Sequence, residues 1–313
     1  MSDTTASLLR RIKSGADLQS VVRAMKAIAG SRIAQYETAV RALADYANTV
    51  DLGLGACLRE SQSTPIGVAP IGVAPRRVAP GPGDASVIGA VVFGSDQGLV
   101  GQFNQVLADH ACATLAALPG KAQVWAVGGR VRARLAEAGL ALQTALEVPS
   151  SVQAIAPLVG QIQVESDALR RGGDARFYVF HNRPLSQTLY EPVAQRLLPF
   201  DAQWRTDRAA VGWPNKNLPA VMGAESTTLR ALIGEYVFIS LFRACAESLA
   251  SENASRLAAM ERADKNIDEL LESDRATFHR LRQDAIDEEL FDVISGYEAL
   301  AAPRQRWRTN PLE

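Results

Sequence analysis

Long hydrophobic runs are missing from this sequence. No stretch approaches the roughly 18–20 apolar residues that a membrane span requires. A soluble chain is expected, with any membrane association made through partners. The opening MSDTTASLLRRIKS has no apolar core of signal-peptide length and no acid-free lead of a transit peptide. Cysteine is scarce: Cys57, Cys112 and Cys245 are far apart and odd in number. They form neither a disulfide framework nor a zinc pattern, and read as small buried residues in a reducing compartment. The three histidines, His110, His181 and His279, have no metal-ligand spacing with one another. Charge of either sign is not in excess. The net charge of −1 offers no whole-protein field for nucleic acid or an anionic membrane, though a local basic patch stays open.

Nucleotide signatures are missing too. Gly94-Ser-Asp-Gln-Gly98 and Gly120-Lys121-Ala122 do not fit the phosphate loop G-x-x-x-x-G-K-[ST]. Gly94, Gly98 and Gly101 follow a strand without G-x-G-x-x-G spacing, and Gly128-Gly129 is also wrong for a dinucleotide fingerprint. Both clusters read as tight strand-to-helix turns. Asp287, Glu288 and Glu289 read as a solvated helix face. No catalytic residue, cofactor site or metal site is assigned.

What is present is ordinary in bulk: 47% apolar and 21% charged residues over 313 positions, enough for one large or two modest domains. Proline is absent from Met1 to Thr64 and between Pro219 and Pro303. Proline costs a helix about 3 kcal/mol, so these blocks permit long helices. In the first, Leu18, Val22, Met25, Ala29, Ile33, Tyr36, Val40, Leu43, Ala47, Val50, Leu54 and Leu58 step by three or four along one stripe. The mean step is close to that of an undistorted helix, so any supercoil is slight. In the second, Leu229 to Ile239, Leu249 to Leu281 and Leu290, Ile294, Tyr297 and Leu300 repeat the pattern. Small residues around Ser251 to Ser255 interrupt it and suit close helix approach. Helices of these lengths would span roughly 80 and 110 Å. Each can bury its stripe most simply against the other, as an antiparallel pair. A break into several bundle helices at Gly234 or Gly296 is the alternative.

Thr64 to Gly83, TPIGVAPIGVAPRRVAPGPG, repeats IGVAP at 66–70 and 71–75 and reads as an extended linker. Strand and helix patterns then alternate: SVIGAVVFGS, a helix, KAQVWAVGG, a helix, a further helix over 151–170, DARFYVFHNRP, and an edge strand within 188–200. This implies a mostly parallel sheet with helical cover. Residues 201–223 read as a connecting loop. The expected organisation is a coiled-coil helix over 1–62, a linker over 63–85, an α/β domain over 86–200, the loop, a coiled-coil helix over 224–300 and a tail over 301–313. The fold class is α/β, an antiparallel coiled coil with an inserted Rossmann-like domain.

Three local strings carry a resemblance. RIKSGADLQSVVRAMKAIAGSRI, with Arg11, Ile12, Ser14, Ala24, Met25, Lys26 and Ser31, resembles the N-terminal signature of F-type ATP synthase gamma subunits. SDQGLVGQFN, with Ser95, Asp96, Gly98, Gly101 and Asn104, looks like that family's loop after its first central strand. EYVFISLFRACAESLASENASRLAAMERADKNIDELL, continued by RQDAIDEELFDVISGYEAL, is the strongest match, and LLPF at 197–200 also fits. The resemblance implies a central rotor shaft of the F1 complex, non-catalytic itself, inside a ring of alpha and beta subunits. Its globular foot would stand with the epsilon subunit on the c-ring, and ion flow would turn it. It implies a peripheral place on the cytoplasmic face of a bacterial inner membrane. Met25, Lys26, Arg282, Gln283 and Glu289 match positions that engage the beta subunits.

The match has departures. Gln97 and Gln102 replace the family's usual Arg and Gly, and Val22 replaces a familiar Thr. Residues 201–223 do not match the usual foot sequence. The linker and the tail APRQRWRTNPLE are unusual. A competing reading is a small-ligand-binding α/β protein with a helical dimerisation hairpin. A non-rotary coiled-coil scaffold is another.

Overall fold

The two proline-free blocks become the two longest elements of the computed structural model, α1 (Thr5–Ser63) and α6 (Glu225–Ala301). Neither breaks, and the described residues are 4–63, 87–171, 176–185, 190–217, 219 and 225–301. The IGVAP linker and the tail beyond Ala301 lie outside them.

Between the long helices come β1 (Val87–Phe93), α2 (Phe103–Ala116), β2 (Lys121–Val127) and α3 (Gly129–Glu137). They are followed by a 3-10 turn, α4 (Ile155–Arg171), β3 (Arg176–Pro184), β4 (Tyr190–Leu198) and α5 (Ala202–Ala209). The sheet order is β2-β1-β3-β4. β1 pairs in parallel with β2 and β3, with Val91 opposite both Trp125 and Val179. β4 runs antiparallel to β3 at the edge, where Pro192 has no ladder donor to lose. The mostly parallel sheet with an edge strand in 188–200 is therefore as expected. The loop expected over 201–223 instead contains α5, started by Asp201, whose carboxylate accepts the Trp204 N–H at 2.7 Å.

Alternation along the strands sends side chains to two cores. On one face Ile88, Ala90, Val92, Val124 and Phe180 pack with Leu107 and Ala111 of α2 and Val131 and Leu135 of α3. On the other, Val91, Phe93, Trp125, Phe177 and Val179 pack with α4 and with Tyr36, Leu54, Val237, Ala244 and Leu249 of the long helices.

Two compact units divide the chain: Met1–Ala24 with Glu261–Glu313, and Met25–Met260. In the larger, α6 is enclosed on nearly all sides from Ala244 to Arg256. That explains the missing stripe there. A helix buried all round has no polar face to alternate with an apolar one. Its small residues meet the sheet domain's loops.

In the smaller unit, α1 and α6 pack through Leu8, Val22, Ile267 and Leu271, all buried. Arg11 bonds Asp274 at 2.8 Å, Gln19 bonds Asp264 at 3.1 Å and also Asp268, and Arg23 bonds Asp264 at 3.1 Å. Partners descend α6 as positions rise along α1, so the helices run antiparallel there. The register places Thr5 opposite roughly residue 280 at equal rise per residue. Past that point α6 has no α1 beside it, and Leu290, Phe291, Val293 and Tyr297 are exposed. The stripe expected to close the helix pair thus faces outward.

Candidate functional site: the anchored helix and its loop

The loop after β1 is built by its own polar side chains. Asn104 Oδ1 accepts the Ser95 N–H at 2.9 Å, and Asn104 Nδ2 donates to Ser95 Oγ at 2.8 Å. Asp96 reaches outward with both oxygens: one accepts the Gly129 N–H at 2.7 Å, the other the Val148 N–H at 2.9 Å. A carboxylate at the N-terminus of α3 also meets the positive end of that helix. Gly128, at φ +109, brings α3 so close that a Cβ would stand 2.7 Å from the Ser95 backbone. Leu99 and Gly101 both take left-handed φ, 62° and 58°. Gly98 is half-buried beside them. The loop residues singled out in the sequence, Ser95, Asp96, Gly98, Gly101 and Asn104, are thus gathered into one turn.

That turn grips α6. Ser255 Oγ donates to the Val100 carbonyl at 2.5 Å, Ser251 Oγ to the Asn182 carbonyl at 3.0 Å, and Ser248 Oγ to the Phe93 carbonyl at 2.6 Å. Three serines on one helix face therefore bond buried carbonyls near the ends of β1 and β3 and in the loop after β1. Beside them Glu252 and Arg256, both buried, pair at 2.6 Å. Burial pushes the Glu252 carboxyl above the ordinary glutamate range, with Arg256 pulling the other way. His181, also buried, holds Glu247 at 2.9 Å. None of these contacts was assigned from sequence. The available signal was the run of Ser and Ala where Leu should recur.

Met25 and Lys26 are half-buried on α1, while Arg282, Gln283 and Glu289 are exposed on α6. Cys57 and Cys245 are buried, and burial raises the Cys245 thiol well above its usual range. Among the described residues no three His, Cys, Asp or Glu side chains group as for a metal ion. Among the same residues no helix is long and apolar enough to cross a membrane.

A family profile described as ATP synthase matches residues 4–300. The ATP synthase gamma chain of Frankia casuarinae is 31% identical over 300 residues, covering 94% of this chain and 96% of that one. That of Granulibacter bethesdensis is 31% identical over 307 residues, covering 94% and 98%. Among solved structures, a chain of the mitochondrial ATP synthase of Euglena gracilis superposes with TM-score 0.59 at 13% identity, covering 98% of this chain and 99% of that one. A central-stalk and c-ring structure from Tetrahymena thermophila gives TM-score 0.53 at 20% identity, covering 78% and 99%. Matches of this extent, shared by profile, relatives and fold, place the chain in the family of ATP synthase gamma subunits, the central stalks of F1Fo ATP synthases.

Proposed function

We propose that this chain is a torque-carrying shaft with no catalytic site of its own. The long helices act as an antiparallel coiled coil inside a ring of alpha and beta subunits. The α/β unit acts as the foot, standing with epsilon on the c-ring at the cytoplasmic face of a bacterial inner membrane. Ion flow turns the ring and foot, and the shaft drives the beta sites through their binding states. The observation that carries this reading is the Ser248, Ser251 and Ser255 bond set, which ties a continuous 77-residue helix to the sheet domain. Rotation of the domain then turns the helix without slip. Family membership removes the ligand-binding reading as the function.

Met25, Lys26, Arg282, Gln283 and Glu289 are the proposed contacts with the beta subunits. Polar helix-surface contacts can hold an angle and still release. The exposed apolar residues Leu290, Phe291 and Tyr297 would meet the sleeve at the shaft tip.

The test is reconstitution with the alpha and beta subunits of the same operon, purified by a tag on beta. Co-purification with hydrolysis that depends on this chain is expected. A stable chain that neither joins the ring nor changes turnover would overturn the shaft role.

A further inference from the structure

Residues 202–209 lie in a segment that does not match the family's usual foot sequence, and they form α5. α5 sits between the two long helices and touches both. On the α1 side, Arg208 Nη1 pairs with Asp51 Oδ2 at 2.9 Å. Arg59 Nη1 donates to the Ala209 carbonyl at 2.9 Å and the Val211 carbonyl at 2.6 Å. The backbone approach needs Gly55, where a Cβ would lie 2.6 Å from the Arg208 carbonyl oxygen. On the α6 side, Trp204 Nε1 donates to the Tyr236 hydroxyl at 3.2 Å, and the two rings meet edge to face at 5.2 Å. Phe200 stacks on Trp204 at 3.7 Å between centroids. Arg208 joins the two sides, because its guanidinium also lies 5.7 Å from the Trp204 ring and 5.6 Å from the Tyr236 ring.

We propose that α5 is a clamp that fixes α1 and α6 against relative twist within the α/β unit, with Arg208 as its positioning residue. The geometry is specific for that job. Three aromatic rings and a planar cation define an angle as well as a distance, which a smear of aliphatic contacts does not. The guanidinium is tied to α1 by charge and to α6 by the Tyr236 ring, with Trp204 of α5 fixing that ring from a second side, so neither helix can rotate about its axis without breaking one set. The inference about torque rests on the shaft role; the clamp itself does not.

Two measurements separate them, using Arg208→Ala, Arg208→Lys and Gly55→Ala. The first is hydrogen exchange of the full chain. Arg208→Ala and Gly55→Ala are expected to speed exchange in three places together: α5, α1 around Asp51 and α6 around Tyr236. Arg208→Lys, which keeps the charge but loses the planar fork, should leave α1 protected and loosen α6. Faster exchange confined to α5 would overturn the clamp. The second is the angular spread of a probe on the α/β unit in the assembled alpha–beta–gamma complex. A broader distribution at unchanged hydrolysis rate is expected for Arg208→Ala. An unchanged distribution would overturn the torsional role. A wild-type chain that fails to assemble would overturn the shaft reading instead, with exchange still deciding the clamp.

Discussion

Ser255 on α6 donates its hydroxyl to the carbonyl of Val100, 155 residues earlier in the chain, at 2.5 Å. The accepting carbonyl lies between two left-handed residues, Leu99 and Gly101. The bond closes a strained loop onto a buried helix, so each stabilises the other. Replacing Ser255 by Ala removes this donor and leaves the carbonyl only the Phe103 N–H, at 3.3 Å. The expected loss is about 0.5–1.5 kcal/mol, read from the midpoint of urea unfolding at constant slope.

Asp96 makes a sharper case. Its two oxygens serve two separate N–H donors, of Gly129 and Val148. Asp96→Asn keeps one acceptor and turns an NH2 group toward the other donor, and it removes the charge at the start of α3. A loss of about 1–3 kcal/mol is expected. A shift within about 0.5 kcal/mol, the usual range for an uninvolved surface position, would show that the loop holds itself without this residue.

Glu252 links stability to pH. Burial raises its carboxyl above the usual 4.5, against the pull of Arg256. The folded state then keeps this proton to higher pH than the unfolded chain does. Its contribution to stability therefore falls as pH rises from 4.5 through the raised folded value, and is level above it. Glu252→Gln abolishes that slope, although it weakens the partner of buried Arg256. The stability of the variant relative to wild type should rise with pH across that window and then level off. Parallel curves at all pH values would mean the carboxyl is not the group that titrates.

In the smaller unit, apolar burial should outweigh the polar ladder. Leu271 is 2% exposed, and Leu271→Ala is expected to cost about 2–5 kcal/mol. Arg11 is half exposed, and solvent screening limits Arg11→Ala to about 1 kcal/mol, with the burial of Asp274 placing it at the upper end of surface pairs. Thermal unfolding of the two variants side by side checks the order. If Arg11→Ala proved the costlier change, the ladder and not the apolar seam would hold the pair.

Much of this architecture was legible in one dimension. Residues 18–58 and 229–300 announced long helices, because absence of proline and a step of three to four leave few other backbones. β1, β2 and β3 were legible as short apolar runs flanked by turn residues. α5 was not: Trp204, Trp213 and Pro214 looked like loop, and no periodicity marks an eight-residue helix whose rings pack on distant Tyr236. Leu290 and Tyr297 were read as part of a buried stripe, because periodicity says which face a residue shares and nothing about whether a partner helix reaches that far.

The site divides the same way. Ser95, Asp96 and Asn104 were visible as a motif through the family resemblance; the Ser95–Asn104 bonds span nine residues, but those of Asp96 reach Gly129 and Val148 and could not be read. Ser248, Ser251 and Ser255 were visible only as small residues, and their partners, the carbonyls of Phe93, Asn182 and Val100, belong to elements 69 to 155 residues away. By itself the sequence determined the two long helices, the alternation of strands and helices between them and the family resemblance, because backbone propensity and side-chain period act between near neighbours. Only the tertiary structure decided that α6 is gripped by serines, that α5 bridges the long helices through Arg208, and that the last turns of α6 stand uncovered. Those outcomes depend on which distant groups meet after folding, and a buried donor or ring is satisfied by whatever the fold brings to it.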